Sequence, residues 1–145
     1  MKYTVLCKFA LSGASRTEVI EELLRLFNIG EQSRGLLAGA LDVREKVGAT
    51  VVHNGIALPH CRSILVDKLT IVVGRSETGI PWPEEKVSIV ILFVSPVKMN
   101  SPQEHNKFLG YIAGKIKKSG DSIAAADSEA NILALLGFQI EEQGE

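Results

Sequence analysis

The sequence predicts an α/β protein in which helices flank a mixed β-sheet, and three observations support this prediction. Short runs rich in strand-forming residues alternate along the chain with segments whose apolar residues recur at helical spacing. Glycine and proline separate these segments. The most hydrophobic run, 87–94, is typical of a central strand that is covered on both faces. Strands interleaved with helices in this way are typical of an α/β sandwich.

Length and composition set limits on what the protein is. The chain has 145 residues, which predicts a single domain over 1–145 with room for a hydrophobic core. Its formal net charge of −1 gives no electrostatic reason to expect nucleic acid as a partner. The longest apolar run, 89–94, is far too short to span a bilayer, so we expect no direct membrane insertion. Two cysteines make no disulfide framework and indicate reduced thiols, which predicts a cytoplasmic protein.

Four segments have the apolar spacing of amphipathic helices, and capping residues mark several of their ends. Ser15 and Glu18 have the spacing of a capping box before the first helix. Ser101 is a candidate N-cap of the third helix, and Gly120 is expected to end it. Ser128 is expected to cap the fourth helix. The predicted helices cover 16–28, 33–46, 101–118 and 129–136.

Five shorter segments are rich in β-branched, aromatic and other apolar residues and are predicted to be strands. The dipeptide Asn54-Gly55 predicts a tight hairpin between two of them. Residues 78–83 contain two prolines and are predicted to form a loop. The predicted strands cover 3–9, 50–53, 56–58, 69–74 and 87–94.

The stretch from Gly55 to Arg62 is the first candidate functional segment. Pro59 cannot donate to a β-ladder and disfavours helix before it, so we expect a short buried strand that ends in a tight loop, with His60 fixed in direction at the strand end. Open α/β sheets bind their ligands at strand ends. A neutral imidazole there is a good nucleophile towards phosphorus, whereas the common alternative is a structural histidine bonded to backbone.

The other two histidines have weaker signals. His105 lies in the first turn of the third helix, where the helix dipole favours an anion and a neutral imidazole that donates to it; the alternative is an exposed residue without a role. His53 lies seven residues before His60, and this spacing matches no compact metal motif. The sequence also lacks a nucleotide fingerprint, so we expect neither a metal nor a cofactor.

Two arginines and one cysteine complete the candidates. Arg44 and Arg62 are possible phosphate ligands because a guanidinium binds phosphate oxygens bidentately; the alternative for each is a solvated surface charge. Cys61 is expected to point to the opposite face from its neighbour His60, as a small and partly buried thiol.

The segments Arg44–Thr50, Asn54–His60 and Gly79–Trp82, followed by the strand at 87–94 and the helix with His105, resemble the enzyme IIA domain of the sugar phosphotransferase system. The similarity is to the fructose/mannitol branch, which includes nitrogen-regulatory proteins, and it extends over nearly the whole chain. It implies a mixed sheet of about five strands flanked by helices. It also implies a carrier that takes a phosphoryl group from the protein HPr.

The resemblance also implies roles for individual residues. The phosphorylated histidine of the family corresponds to His60, its second active-site histidine to His105, and its motif arginine to Arg44. We also expect phosphate or partner contacts from Thr50 and Asn54 of the same segments and from Arg62, two residues after His60.

The chain departs from the family pattern at two positions, Cys61 and His53, where glycine is usual. The first makes the loop after the phosphorylated histidine bulkier. The second could either line the site or merely perturb it.

Three functions remain open at this point. The first is transfer of phosphate from phospho-HPr through His60 to the cysteine of a separate enzyme IIB during sugar uptake. The second is a stand-alone regulatory module whose phosphorylation state is read by a regulatory target. The third is a degenerate relative that serves only as an interaction domain. The first two require His60 to be uncharged and reachable, with His105 and cationic groups around it.

Overall fold

The computed structural model describes residues 3–48, 50–83, 85–98 and 102–138. The helices are α1 (Arg16–Leu24), α2 (Glu31–Val47), α3 (Pro102–Ala125) and α4 (Glu129–Leu136). The strands are β1 (Tyr3–Lys8), β2 (Val51–His53), β3 (Ile56–Ala57), β4 (His60–Ser63), β5 (Leu69–Pro81) and β6 (Lys86–Pro96). Within these ranges, no helix combines the length and the apolar character that crossing a membrane requires.

The strands form one mixed sheet in the order β1-β5-β6-β3-β2, and β4 also pairs with β6. The β1–β5, β3–β6 and β4–β6 pairs are parallel, whereas β5–β6 and β2–β3 are antiparallel. Ile56 of β3 pairs with Ile89, and His60 of β4 pairs with Phe93 farther along the same strand. The strands β3 and β4 therefore lie end to end along one edge of β6. This confirms the predicted mixed sheet of about five strands.

The sheet lies between two helical layers. Leu23 and Leu41 of α1 and α2 pack with Leu92 on one face, and Ile112 of α3 packs with Phe93 on the other. Because successive residues of a strand point to opposite faces, β6 contributes to both cores. This confirms the prediction that 87–94 is the covered central strand.

Local signals at several element ends are also confirmed. The hydroxyl oxygen of Ser15 accepts from the Glu18 amide at 3.2 Å, and that of Ser128 accepts from the Asn131 amide at 3.2 Å. Gly55 has φ +81°, as the tight turn between β2 and β3 requires. Ser101 lies outside the described residues.

Three predicted boundaries are wrong. The helix α1 ends at Leu24, and Gly30 is the N-cap of α2. The strand β5 continues to Pro81, well into the predicted loop at 78–83, because Ile80 and Pro81 pair with β6 again after a register shift that follows Arg75. Gly79 lies within this irregular stretch and has φ +84°. The helix α3 passes Gly120 with only a kink at Ser119.

Candidate functional site

His60 begins β4, immediately after the break that Pro59 makes between β3 and β4. His60 does lie at a strand end, but the predicted loop after the strand is wrong, because β6 provides a pairing partner on both sides of the proline. The ring atom Nδ1 of His60 lies 2.7 Å from the carbonyl oxygen of Leu58. A carbonyl can only accept, so Nδ1 carries the proton and Nε2 keeps a lone pair.

The Nε2 atom of His60 is buried and has no hydrogen-bond partner among the described residues. The whole side chain is only 5% exposed. The expectation that His60 is directly reachable is therefore wrong for this conformation, since the lone pair faces other protein atoms. A buried polar atom without a partner is uncommon and is typical of functional sites.

Two aromatic rings border the imidazole of His60. The ring of Phe93 stacks on it, with centroids 5.2 Å apart and an angle of 12° between the planes. The ring of His105 lies 5.8 Å away by centroid distance. Its own Nδ1 is 2.9 Å from the hydroxyl oxygen of Ser95. The two histidines that the sequence singled out are therefore neighbours, and each has Nδ1 engaged by a fixed partner.

The surroundings lower the pKa of both imidazoles. Burial is the main cause for His60; the charge of Arg44 adds to it, while the Leu58 carbonyl and Glu45 act in the opposite direction. For His105, burial again comes first, followed by His60, Arg62 and Arg44. Both rings are therefore favoured in their neutral forms, in which a ring nitrogen can act as a nucleophile or as a selective donor.

Arg44 lies in the last turn of α2, next to a buried carboxylate that the sequence analysis did not single out. Glu45 is 2% exposed, and its carboxylate accepts from the Thr50 amide at 3.0 Å, from the Thr50 hydroxyl, and from Trp82 Nε1 at 3.0 Å. These bonds attach the end of α2 to the start of β2 and to the β5–β6 hairpin. The signal was present, because Glu45 follows Leu37 and Leu41 on the buried face of the helix at intervals of four residues.

The predicted phosphate or partner ligands lie in different places. Arg62 is half-buried on β4, where it pairs with Ser95 beside His105. The hydroxyl of Thr50 donates to Glu45. Asn54 is exposed at the turn before β3, whose first residue Ile56 pairs with β6 four residues before the position that pairs with His60. Four strand residues span about 13 Å, so the structure does not bring Asn54 to the two histidines.

His53 lies apart from this cluster. Its Nε2 is 2.8 Å from a carboxylate oxygen of Asp121, and its ring packs against Gly120 of α3. Fifteen residues of helix separate Gly120 from His105, which is roughly 20 Å. The described residues contain no group of three or more histidine, cysteine, aspartate or glutamate side chains that could hold a metal ion.

Cys61 packs with the core of α1 and α2, on the opposite face of the sheet from His60, as predicted. Burial raises the pKa of its thiol to about 11, although the charge of Arg44 acts in the opposite direction. The thiol is therefore protonated at neutral pH and takes no part in the histidine cluster.

An apolar groove lies beside the histidines. Phe108 contacts Phe93 edge-on, with centroids 5.0 Å apart, and it also lines a cavity of about 610 Å³. The remaining lining residues are Tyr3, Leu69, Glu104, Lys107, Tyr111, Gly137 and Phe138. The first turns of α3 thus connect the histidine cluster to an open apolar surface.

Comparison with known proteins gives consistent results. The family model described as "Phosphoenolpyruvate-dependent sugar phosphotransferase system, EIIA 2" matches residues 5–137. The crystal structure of the nitrogen regulatory protein IIA-Ntr from Neisseria meningitidis superposes with a TM-score of 0.73 and 26% identity, over 92% of each chain. The Escherichia coli complex of enzyme IIA-mannitol with phosphorylated enzyme IIB-mannitol gives a TM-score of 0.64 and 18% identity, over 90% of this chain and 93% of that chain.

The chain also resembles part of a longer protein. The multiphosphoryl transfer protein 1 of Escherichia coli strain K12 is 28% identical over 99 residues, which are 67% of this chain. The chain spans only 12% of the length of the curated relatives that it matches. The similarity therefore concerns one segment of those proteins.

Proposed function

This chain belongs to the EIIA 2 family of the phosphoenolpyruvate-dependent sugar phosphotransferase system, and on that basis we propose that it carries a phosphoryl group on His60. The donor is phospho-HPr, and the acceptor is the cysteine of a separate enzyme IIB. The observation that supports this most directly is that Nε2 of His60 has no hydrogen-bond partner among the described residues. Its Nδ1 is hydrogen-bonded to the Leu58 carbonyl, and its ring lies beside a second histidine.

The first transfer is an in-line displacement at phosphorus. The Nε2 lone pair of His60 forms the new N–P bond while the N–P bond of the donor breaks, and the electron pair leaves with the ring nitrogen of the donor. The proton on Nδ1 stays there throughout and remains hydrogen-bonded to the Leu58 carbonyl oxygen. In the second transfer, a cysteine thiolate of the acceptor attacks phosphorus and the electron pair returns to Nε2.

The remaining groups of the cluster stabilise charge on the phosphoryl oxygens. Transfers of this kind have a loose transition state, so alignment and electrostatic stabilisation supply most of the catalysis. His105 donates a hydrogen bond to a phosphoryl oxygen, and Arg62 and Arg44 provide positive charge. Thr50 acts through Glu45, since its hydroxyl is already bonded there. Asn54 is too distant to touch the phosphate, and we assign it to the contact with a partner protein.

Access to Nε2 requires a local opening. The atom is buried in this structure, so a side chain beside it moves before the donor reaches it. Carrier encounters are transient and their interfaces are small, which is compatible with docking on the apolar surface beside the first turns of α3.

A regulatory module is the second candidate function. Similarity to a nitrogen regulatory protein over 92% of both chains supports it. Both functions use the same phosphorylation of His60 and differ in what reads it. Pull-downs with His60→Ala and His60→Asp separate them: a regulator binds proteins outside the transport chain in a manner that depends on the variant, and a transport carrier does not.

The proposal is tested by phosphorylation in vitro with phosphoenolpyruvate, enzyme I and HPr. We expect wild-type protein to acquire acid-labile phosphate and His60→Ala to acquire none. His53→Ala is the matched control and should be phosphorylated at the wild-type rate, because its ring packs on Gly120, away from the cluster. Acid-labile phosphate on His60→Ala would remove His60 from the role. A wild-type protein that takes up no phosphate would favour the degenerate interaction domain.

A further inference from the structure

We propose that Ser95 is a positioning residue that donates its hydroxyl hydrogen to Nδ1 of His105 and thereby holds His105 in the tautomer with hydrogen on Nε2. This inference rests on the proposed function, because that tautomer is the one that can donate to a phosphoryl group on His60. Its test nevertheless includes a measurement that needs no phosphate.

The burial of Ser95 is the first observation. Ser95 is fully buried near the end of β6, directly after the apolar run 87–94. A buried hydroxyl without a partner is destabilising, so such a residue is normally hydrogen-bonded. The bond it makes is to His105 Nδ1, at 2.9 Å.

The direction of this bond decides the state of the ring. A hydroxyl can donate or accept, so it permits either neutral tautomer of a histidine. If the hydroxyl accepts, Nδ1 carries the hydrogen and Nε2 presents a lone pair, which repels a phosphoryl oxygen. If the hydroxyl donates, Nε2 carries the hydrogen and can donate to that oxygen. Only the second arrangement allows His105 to stabilise phosphate on its neighbour.

The contrast with His60 supports this assignment. In His60 the partner of Nδ1 is the Leu58 carbonyl, which can only accept, so Nδ1 carries the hydrogen and Nε2 has a lone pair. A hydroxyl on Nδ1 of His105 allows the opposite result, in which Nε2 bears hydrogen. Two neighbouring rings 5.8 Å apart thus become one nucleophile and one donor. The hydrogen bond at one ring nitrogen of a histidine commonly determines whether the other nitrogen carries hydrogen.

The tautomer is measured directly by ¹⁵N NMR of the imidazole nitrogens in the unphosphorylated protein, at a pH where both rings are neutral. We expect His105 in the wild type to carry hydrogen on Nε2. Ser95→Ala should shift His105 towards a mixture of the two tautomers, and Ser95→Thr should restore the wild-type pattern. Ser88→Ala is the matched control on the same strand, since Ser88 bonds the Gly55 carbonyl at the opposite end.

Phosphorylation by phospho-HPr gives the second measurement. We expect Ser95→Ala to lower the rate of phosphate uptake about 10-fold, because part of the population loses a hydrogen bond to a charged phosphoryl oxygen. Ser95→Thr and Ser88→Ala should stay near the wild-type rate. A wild-type His105 with hydrogen on Nδ1, or a Ser95→Ala variant with an unchanged tautomer, overturns the inference. If wild-type protein takes up no phosphate, the proposed function fails, while the NMR result still decides the role of Ser95.

Discussion

The imidazole of His60 lies stacked on the ring of Phe93, with 5.2 Å between centroids, and the two residues are partners across the parallel β4–β6 pair. The position of the ring is thus set by the sheet itself as well as by the hydrogen bond to Leu58. A strand pair is among the most rigid supports that a protein offers. The nucleophile is therefore held in direction before any partner binds, which reduces the ordering needed for transfer.

The stability of the protein should depend on pH through the two buried histidines. Their pKa values are lowered in the folded state, so as the pH falls below about 6.5 the unfolded chain takes up protons before the folded protein does. We expect the free energy of unfolding to be at its highest above pH 6.5 and to decline as the pH falls through the folded-state pKa values. Urea unfolding between pH 5 and pH 8 measures this. The double variant His60→Gln/His105→Gln should have a flatter profile, and an unchanged slope would contradict the assignment.

The features that could be predicted from the sequence are those that neighbouring residues determine. Helical spacing identified the helices, and Pro59 identified the end of β3, but no local pattern indicated that β4 begins directly after the proline. The proximity of His60 and His105 came from the family resemblance, since the two are 45 positions apart and no local pattern connects them. Long-range contacts were missed for the same reason. Glu45 reaches Trp82 across 37 positions, and only the folded chain brings them together. The burial of Nε2 likewise depends on side chains from several elements.

The buried carboxylate of Glu45 gives a prediction about Thr50. Thr50→Val removes the hydroxyl donor while keeping the shape of the side chain, so it leaves part of a buried carboxylate unsatisfied. We expect a loss of about 1–3 kcal/mol in the free energy of unfolding, measured by urea denaturation. Thr50→Ser keeps the donor and should lose much less. Equal losses for the two variants would show that the methyl group, and not the hydrogen bond, matters.

Gly120 gives a prediction that separates packing from helix propensity. A Cβ at this position would overlap the ring of His53, whereas a Cβ at Gly114 of the same helix meets nothing within 4 Å. Gly114→Ala should therefore stabilise the protein by about 0.5–1 kcal/mol, and Gly120→Ala should destabilise it. Adding His53→Ala to Gly120→Ala should restore part of the loss. Two alanine variants with the same effect on thermal unfolding would contradict this packing argument.

The two cysteines should be unreactive in the folded protein. Burial raises the pKa of Cys7 to about 12 and that of Cys61 to about 11, so roughly one Cys61 thiol in a thousand is ionised at pH 8. We expect slow reaction with a disulfide reagent at pH 8 in buffer and fast reaction of both thiols in urea. Rapid modification of folded Cys61→Ala would locate an exposed thiolate at Cys7, and rapid modification of folded Cys7→Ala would locate one at Cys61.

Arg44 should control the protonation of the histidines through its charge. Its guanidinium is one of the causes that lower the pKa of His60 and of His105, so Arg44→Ala should raise both pKa values, as followed by NMR titration. Arg44→Lys keeps the charge and should leave them closer to wild type. Because Arg44 is exposed, the difference between the alanine and lysine variants should shrink as salt is added. A shift that is independent of salt would mean that Arg44→Ala acts by rearranging the end of α2 rather than by removing a charge.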